Sequence, residues 1–173
     1  MSLTNEHIKN RLVEKFGDVL TNFEESFGMM SFHAPKDLNL KVMQFLFDEE
    51  DLQFRFMSDL TGVHYPDQKG AELAVVYHLH SFVKNVRLRF KVFTDIETPQ
   101  VYTATSIFST ANWMERETYD FFGVDFVGHP NLVRILNVDE MDYFPMRKEF
   151  PLEDQTRIDK DDEMFGRGGS VGI

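Results

Sequence analysis

The spacing of apolar residues at the start of the chain predicts a helix followed by two short strands. Thr4 can cap a helix that Gly17 ends. One face of this helix would carry Ile8, Leu12, Val13 and Phe16. Residues 19–23 and 29–33 are predicted as strands, separated by a turn at Gly28.

A second helix and a third strand follow. Pro35 and Asp37 open the helix, and its apolar stripe consists of Leu38, Val42, Phe45 and Leu46. The acidic run at residues 48–51 ends it as a solvated turn. Residues 53–57 are predicted as a strand, and the turn-rich stretch 64–70 comes after it.

Strict alternation of apolar and polar residues predicts a half-buried antiparallel hairpin in the middle of the chain. One face would carry Leu73, Val75, Tyr77 and Leu79, followed by Val86, Leu88, Phe90 and Val92. The opposite face of the second strand would carry Arg87, Arg89 and Lys91. With a last helix over residues 113–122, the element order predicts an α+β fold, a mixed or antiparallel sheet covered by helices.

Length and composition predict one folded domain and a polar extension. The 173 residues are 42% hydrophobic and 27% charged, which is ordinary for a globular protein. Residues 1–152 are predicted to form the domain. Residues 153–173 are polar and rich in glycine, so we expect an extended C-terminal tail that docks on a partner or is disordered.

Charge and cysteine content restrict the possible functions. A net charge of −11 argues against a nucleic-acid partner. The absence of cysteine excludes disulfides and any iron–sulfur cluster or zinc ion held by thiolates of this chain. No apolar run approaches the ~18 residues of a membrane-spanning helix, so no direct transmembrane segment is predicted.

Charged residues stand among aromatic ones in the predicted last helix. Asn112 and Glu115 are spaced as a capping box, and Gly123 is a typical C-terminal stop. Arg116 and Asp120 are four apart and can pair on the helix surface.

Glu117 has the most demanding predicted position in this helix. On a helical wheel it falls between Trp113 and Phe121, so its carboxylate is predicted to be buried and to need a cation. The candidate partners are Arg134, Arg147 and Lys148. A structural polar core is the favoured interpretation, and a catalytic role is the alternative.

Histidines offer two further hypotheses. His129, next to Pro130, is predicted to cap backbone groups at a turn rather than to act as a general base. His78 and His80 lie on one strand face with a spacing that a metal ion could use. A metal-dependent hydrolase that uses these two histidines and a carboxylate is therefore a remote alternative.

The stretch "ANWMERETYDFFGVDFVGHPNLVRIL" with the later "FPMRKEFP" resembles the signature of the C subunit of respiratory complex I, the proton-translocating NADH:quinone oxidoreductase of bacteria. The matching residues are Glu115, Arg116, Glu117, Asp120, Gly123, Phe126, His129, Pro130, Leu132, Arg134, Ile135, Leu136, Pro145, Arg147 and Lys148. Met146 and Glu149 replace the usual Leu and Asp, and His64 stands where an acid is common. The resemblance covers roughly residues 30–152.

The resemblance implies a structural subunit of the hydrophilic arm on the cytoplasmic side of the inner membrane, peripheral to it. It implies partners among the other proteins of complex I, chiefly the D and B subunits, and marks the matching residues as a structural signature or interface. FMN, iron–sulfur clusters, NADH and quinone would belong to the parent complex, with no catalytic, cofactor-binding or metal-ligating residue here. The alternative is the homologous subunit of a membrane-bound nickel–iron hydrogenase or related oxidoreductase.

Overall fold

The computed structural model describes residues 3–150, so the predicted tail over 153–173 lies outside the described residues. Three α-helices and seven strands form within that range. In chain order they are α1 (Asn5–Phe16), β1 (Thr21–Ser26), β2 (Met29–Ala34), α2 (Asn39–Asp48), β3 (Phe56–His64), β4 (Leu73–Ser81), β5 (Val86–Thr94), β6 (Gln100–Tyr102), α3 (Ala111–Phe122) and β7 (Asp125–Val127).

Five strands form one mixed sheet in the order β1-β2-β5-β4-β3, which confirms the predicted α+β class. The predicted hairpin is present, since β4 and β5 pair antiparallel with Tyr77 opposite Phe90. β2 and β5 pair in parallel, with Phe32 also opposite Phe90. A parallel pair needs a long crossover, and here α2, β3 and β4 supply it between the two strands.

One apolar core lies on the helix-covered side of the sheet. Its centre is a row of aromatic rings on neighbouring strands, in which Phe32 stacks on Phe90 at 5.5 Å and Phe90 stacks on Tyr77 at 4.6 Å between centroids. α1 adds Ile8 and Leu12, which are fully buried. α2 packs beside them through Val42, Met43, Phe45 and Leu46.

Several predicted boundaries and one face are wrong. The stretch 53–57 is a strand only from Phe56 onward, because Gln53 has a positive φ of 52° and Phe54 N–H returns to the carbonyl of Leu46. Residues 17–19 form a 3-10 turn instead of starting β1. Val13, predicted on the buried face of α1, is exposed.

The second sheet, a parallel pair of β6 and β7, carries no periodic signal because each strand has three residues. In sequence, β6 precedes α3 and β7 follows it. α3 packs closely on β3, where a Cβ added at Gly62 would overlap the ring of Phe122. This close approach places the last helix and the segment after it against the edge strand of the main sheet.

Candidate functional site

The buried face of α3 differs from the predicted one. Its buried side chains include Ala111, Glu115 and Thr118, which recur at helical spacing. Trp113 is 64% exposed, and its ring is covered on one side by the guanidinium of Arg116 at 4.7 Å. Glu117 lies on the same outer face and is exposed, so the prediction of a buried Glu117 paired with an arginine is wrong.

Glu115 is a buried carboxylate and does not act in a capping box. The helix begins at Ala111, so Asn112 lies inside the first turn and makes no side-chain cap. Glu115 has no exposed surface, and it accepts hydrogen bonds from the Thr103 hydroxyl at 2.5 Å and the Ala104 N–H at 2.6 Å. Glu115 is buried because a loop distant in sequence, at Thr103 and Ala104, contacts it. The local spacing of residues in the helix gives no sign of this contact.

Burial raises the pKa of Glu115 to about 7, although the hydrogen bonds from Thr103 and Ala104 oppose the shift. The pKa of the nearby Tyr77 hydroxyl is also raised well above its usual range, first by burial and then by the Glu115 charge. Glu115 therefore sits near its midpoint at neutral pH, inside the protein.

His129 lies beside Glu115 and caps backbone groups, as predicted. Its Nε2 is 3.0 Å from the carbonyl of Asn112 and 4.0 Å from Oε2 of Glu115. Its Nδ1 accepts a hydrogen bond from the N–H of Asn131 at 3.0 Å. These two contacts fit the tautomer with the proton on Nε2. Pro130, which follows it, is exposed at the turn.

Asp120 is the centre of a second polar cluster, and the predicted surface pair of Arg116 with Asp120 is wrong. Asp120 has no exposed surface. Arg134 donates to its Oδ1 at 2.8 Å, and the amide of Asn137 donates to the same oxygen at 3.0 Å. Its Oδ2 accepts from three consecutive backbone N–H groups, those of Ile135, Leu136 and Asn137.

The hydrogen bonds to Asp120 decide its charge state. Burial by itself raises the pKa of this carboxyl, but the donors, led by the backbone amides of Asn137 and Leu136, outweigh burial and hold the pKa far below its ordinary value. Arg134 completes the cluster by donating to the carbonyls of Met141 and Tyr143. Arg116 donates in turn to the carbonyls of Val133 and Arg134.

The end of α3 forms a third contact with the following segment. Gly123 ends the helix in the left-handed region at φ 76°, as predicted. A Cβ there would overlap the Phe144 ring and lie 2.7 Å from Nη2 of Arg147. Arg147 stacks over Phe144 and donates to the carbonyl of Phe122 at 2.8 Å.

The remaining signature residues lie around this contact. Pro145 is half-buried between Phe144 and Met146, whose N–H donates to the carbonyl of Phe121. The side chain of Lys148 is exposed, while its backbone N–H donates to Nδ1 of the buried His64 at 2.9 Å. Lys148 therefore contributes through its backbone and not as a partner for Glu117.

The structure thus brings most of the predicted residues together as a polar network that binds residues 131–150 to α3. Thr103, Ala104 and Asn137 also belong to it, and only Asn137 is close enough in sequence to the signature to be suspected. At the other proposed site, His78 lies 3.5 Å from Asp59, while the ring of His80 packs on Phe82 at 4.5 Å. Residues 3–150 contain no group of three or more potential metal ligands.

Comparison with known families agrees with the family resemblance that the signature residues of this network carry. The family model described as "Respiratory-chain NADH dehydrogenase, 30 Kd subunit" matches residues 32–156. The chain belongs to this 30 kDa subunit family. The match includes every residue of the network and the whole of the sheet except β1 and the first residues of β2.

Curated relatives of this 30 kDa family member are named as the C subunit of NADH-quinone oxidoreductase. The relative from a Nocardioides species is 44% identical over 125 residues, which are 72% of this chain and 50% of that protein. The one from Caulobacter vibrioides is 42% identical over 80% of this chain and 70% of its own length. The chain thus spans about half the length of the first of these relatives.

Two solved structures share the fold of the 30 kDa family. A trypsin-resistant fragment of Nqo5 is 29% identical, with a TM-score of 0.62 over 72% of this chain and 98% of the fragment. A chain of an archaeal membrane-bound sulfane sulfur reductase superposes with a TM-score of 0.72 over 90% of this chain, at 24% identity. None of the helices within residues 3–150 is long and apolar enough to cross a membrane.

Proposed function

We propose that this chain is a structural subunit of the hydrophilic arm of a proton-translocating NADH:quinone oxidoreductase, equivalent to the C subunit of that complex. Membership of the 30 kDa family and the shared name of the curated relatives support this role. The whole assembly would transfer electrons from NADH to quinone. The chain itself would be a folded scaffold without chemistry of its own.

The observation that carries the structural role is the burial of two charged signature residues, Glu115 and Asp120, inside hydrogen-bond networks of the chain itself. Glu115 and Asp120 have no exposed surface, so neither carboxylate can touch an external substrate. Asp120 accepts five hydrogen bonds from the segment after α3, counting the Arg134 contact to Oδ1. Such a network stabilises one arrangement of the chain instead of presenting a reactive group.

The cofactors are assigned to neighbouring subunits. Iron–sulfur clusters would be bound by other chains, since this one has no cysteine thiolate to ligate a cluster. FMN, NADH and quinone would also be bound by other subunits. The chain would dock chiefly on the D and B subunits, at the cytoplasmic side of the bacterial inner membrane and peripheral to it. Residues 1–152 would form the folded unit, and residues 153–173 would be a C-terminal tail that docks on a partner or is disordered.

Purification of the tagged chain from its host tests this proposal. The D and B subunits are expected among its companions, with FMN and iron present in the complex and absent from the chain expressed alone. Stoichiometric iron or flavin on the isolated chain would refute the structural role. A companion large subunit with nickel-ligating cysteines would assign the chain to the hydrogenase group instead.

A further inference from the structure

Three large apolar side chains are exposed at one end of the main sheet. The turn between β1 and β2 carries Phe27, which is fully exposed, and the turn between β4 and β5 carries Phe82 and Val83, which are 66% and 71% exposed. Because β2 and β5 are neighbouring parallel strands, the two turns that precede them lie at the same end of the sheet.

Phe27 is unfavourable for its own turn. Phe27 and Gly28 form a two-residue hairpin loop with φ angles of 52° and 75°, a turn for which Asn-Gly is the preferred pair. A bulky residue at positive φ is an outlier, and this one has no compensating burial. The fold therefore gains no stability from a phenylalanine here, which points to contact with something outside the described chain.

An open cavity of about 440 Å³ lies between the two turns. Leu3, Met29 and Val86 give it apolar walls, while His80 and Arg87 give it hydrogen-bond donors. Its lining, within the part of the chain that the structure describes, contains no aspartate or glutamate. Apolar walls next to hydrogen-bond donors can accept an apolar side chain with a carboxylate beside it.

The cavity and the exposed side chains are continuous. The ring of His80 packs on Phe82 at 4.5 Å, and Phe82 packs on the half-exposed Phe56 at 4.9 Å. Arg87 is exposed and forms no ion pair with any residue between 3 and 150. We call Phe27, His80, Phe82, Val83 and Arg87 the hairpin-end surface. Its cationic side chain contrasts with the net charge of −11 of the whole chain.

We propose that the hairpin-end surface docks a segment of another subunit, which inserts one apolar side chain into the cavity and places a carboxylate against Arg87. The inference rests on the proposed function, because it takes a multi-subunit complex as the setting. Exposed aromatic residues beside an arginine are the residue types that contribute most to protein interfaces. Charge complementarity selects an acidic segment, because the Arg87 guanidinium, which has no ion-pair partner within residues 3–150, favours a carboxylate.

Assembly of single-site variants in the host tests the surface. Phe27→Asn is expected to leave the purified chain as stable as wild type or more stable, since Asn suits the turn. The same change should lower the fraction of the chain recovered in the complex by about tenfold, an effect typical of a central aromatic contact. Arg87→Glu should give a similar loss.

Val19→Ser is the matched control, because Val19 is an exposed apolar residue just before the opposite end of β1. It should assemble like wild type. Normal assembly of Phe27→Asn, or an equal loss with Val19→Ser, would overturn the inference. If the wild-type chain has no companion subunits at all, the proposed function itself is refuted. That result differs from a normal complex that forms without the hairpin-end surface, so the two failures can be distinguished.

Cross-linking identifies the occupant. The chain has no cysteine, so Val83→Cys provides a unique site for a photoreactive maleimide, and Val19→Cys provides the control. An adduct from Val83→Cys to another subunit, at an acidic segment, is expected. Two results would show a different occupant and overturn the proposal. One is binding of the wild-type chain to vesicles of anionic phospholipid that Phe27→Asn abolishes. The other is a homodimer of the wild-type chain that Phe27→Asn abolishes.

Discussion

Glu115 and Asp120 are five residues apart on α3, and both are buried, yet their surroundings favour opposite protonation states. Glu115 receives two hydrogen bonds, too few to offset burial, and its pKa is raised to about 7. Asp120 receives donors from a backbone turn and an arginine, and its pKa is lowered. The number of donors that the fold supplies therefore decides the charge of each buried carboxyl.

Glu115→Gln is expected to change the pH dependence of stability. The raised pKa means that the folded protein keeps a proton that the unfolded chain has lost, so wild type loses stability as pH rises from about 4.5 to about 7. Gln can keep the contacts to Thr103 and Ala104 without charge. The variant should match wild type near pH 5 and exceed it by about 3 kcal/mol at pH 8.

Urea unfolding of both proteins from pH 5 to pH 8 measures this difference. The comparison is needed because other titratable groups, including His33 and His78, whose pKa values burial lowers, are present in both proteins, so their contributions cancel. If the free energy of unfolding changes with pH in the same way in both proteins, the titration of Glu115 is not the cause of that pH dependence.

Asp120→Ala is expected to destabilise the chain by about 3–5 kcal/mol, because it leaves the largely buried Arg134 without its carboxylate. Glu117→Ala is the matched control, since it removes an exposed carboxylate from the same helix and should cost at most about 0.5 kcal/mol. Denaturant unfolding at pH 7 checks both values. Equal losses of stability in the two variants would contradict the assignment of Asp120 as buried in the network and Glu117 as exposed.

The lowered pKa of Asp120 adds a test in acid. A carboxyl with a depressed folded pKa stabilises the protein above its unfolded value of 3.8, and this contribution disappears as pH falls toward the folded pKa. Asp120→Asn should therefore lose less stability than wild type between pH 4 and pH 2. A double-mutant cycle with Arg134→Met should show strong coupling.

At the scale of elements, α3 and residues 131–150 form one unit. The helix supplies acceptors through Asp120 and its terminal carbonyls, and the segment returns donors from Arg134, Arg147 and the N–H of Met146. Most of these carbonyls are the unsatisfied groups that any helix end leaves. A segment without regular secondary structure is thereby ordered by capping a helix.

Gly123→Ala is expected to detach this segment from α3. The added methyl would meet the Phe144 ring and Arg147 in addition to straining a backbone with φ 76°. Gly70→Ala is the matched control, because its φ is 80° with open space around the new methyl, so it should cost only about 1 kcal/mol.

Limited trypsin digestion measures the detachment directly. Cleavage after Arg134 and Arg147 should accelerate in Gly123→Ala and stay at the wild-type rate in Gly70→Ala. Equal protection in both variants would show that the Gly123 contact does not hold the segment.

At the scale of the whole molecule, the network and the hairpin-end surface lie on different parts of the fold. The network joins α3 to residues 131–150 and to the loop of Thr103 and Ala104, whereas the hairpin-end surface lies at the turns that precede β2 and β5. Internal stability and proposed docking can therefore be changed separately. This separation makes a structural role distinguishable from a catalytic one.

Asp120→Ala is expected to reduce the amount of assembled complex and not its turnover. A destabilisation of a few kcal/mol lowers the abundance of a folded protein several-fold. The rate of NADH:quinone reduction per bound FMN should stay at the wild-type value. A normal amount of complex with a lost rate would place Asp120 in the chemistry.

Much of this fold follows from the sequence because the interactions are local. The alternation over β4 and β5 determines which side chains face the core, and Thr4 and Gly17 determine the ends of α1 by satisfying helix-end groups a few residues away. The signature from Glu115 to Lys148 likewise predicted a polar core joining the helix to the segment after it.

The tertiary structure alone decided which residues form that core. A helical wheel placed Glu117 inward because Trp113 and Phe121 are aromatic, but α3 presents Ala111 and Glu115 to the protein, since the loop carrying Thr103 and Ala104 supplies donors there. The parallel pairing of β2 with β5 also joins strands more than 50 residues apart. Both depend on contacts between distant segments, for which no local periodicity carries a signal.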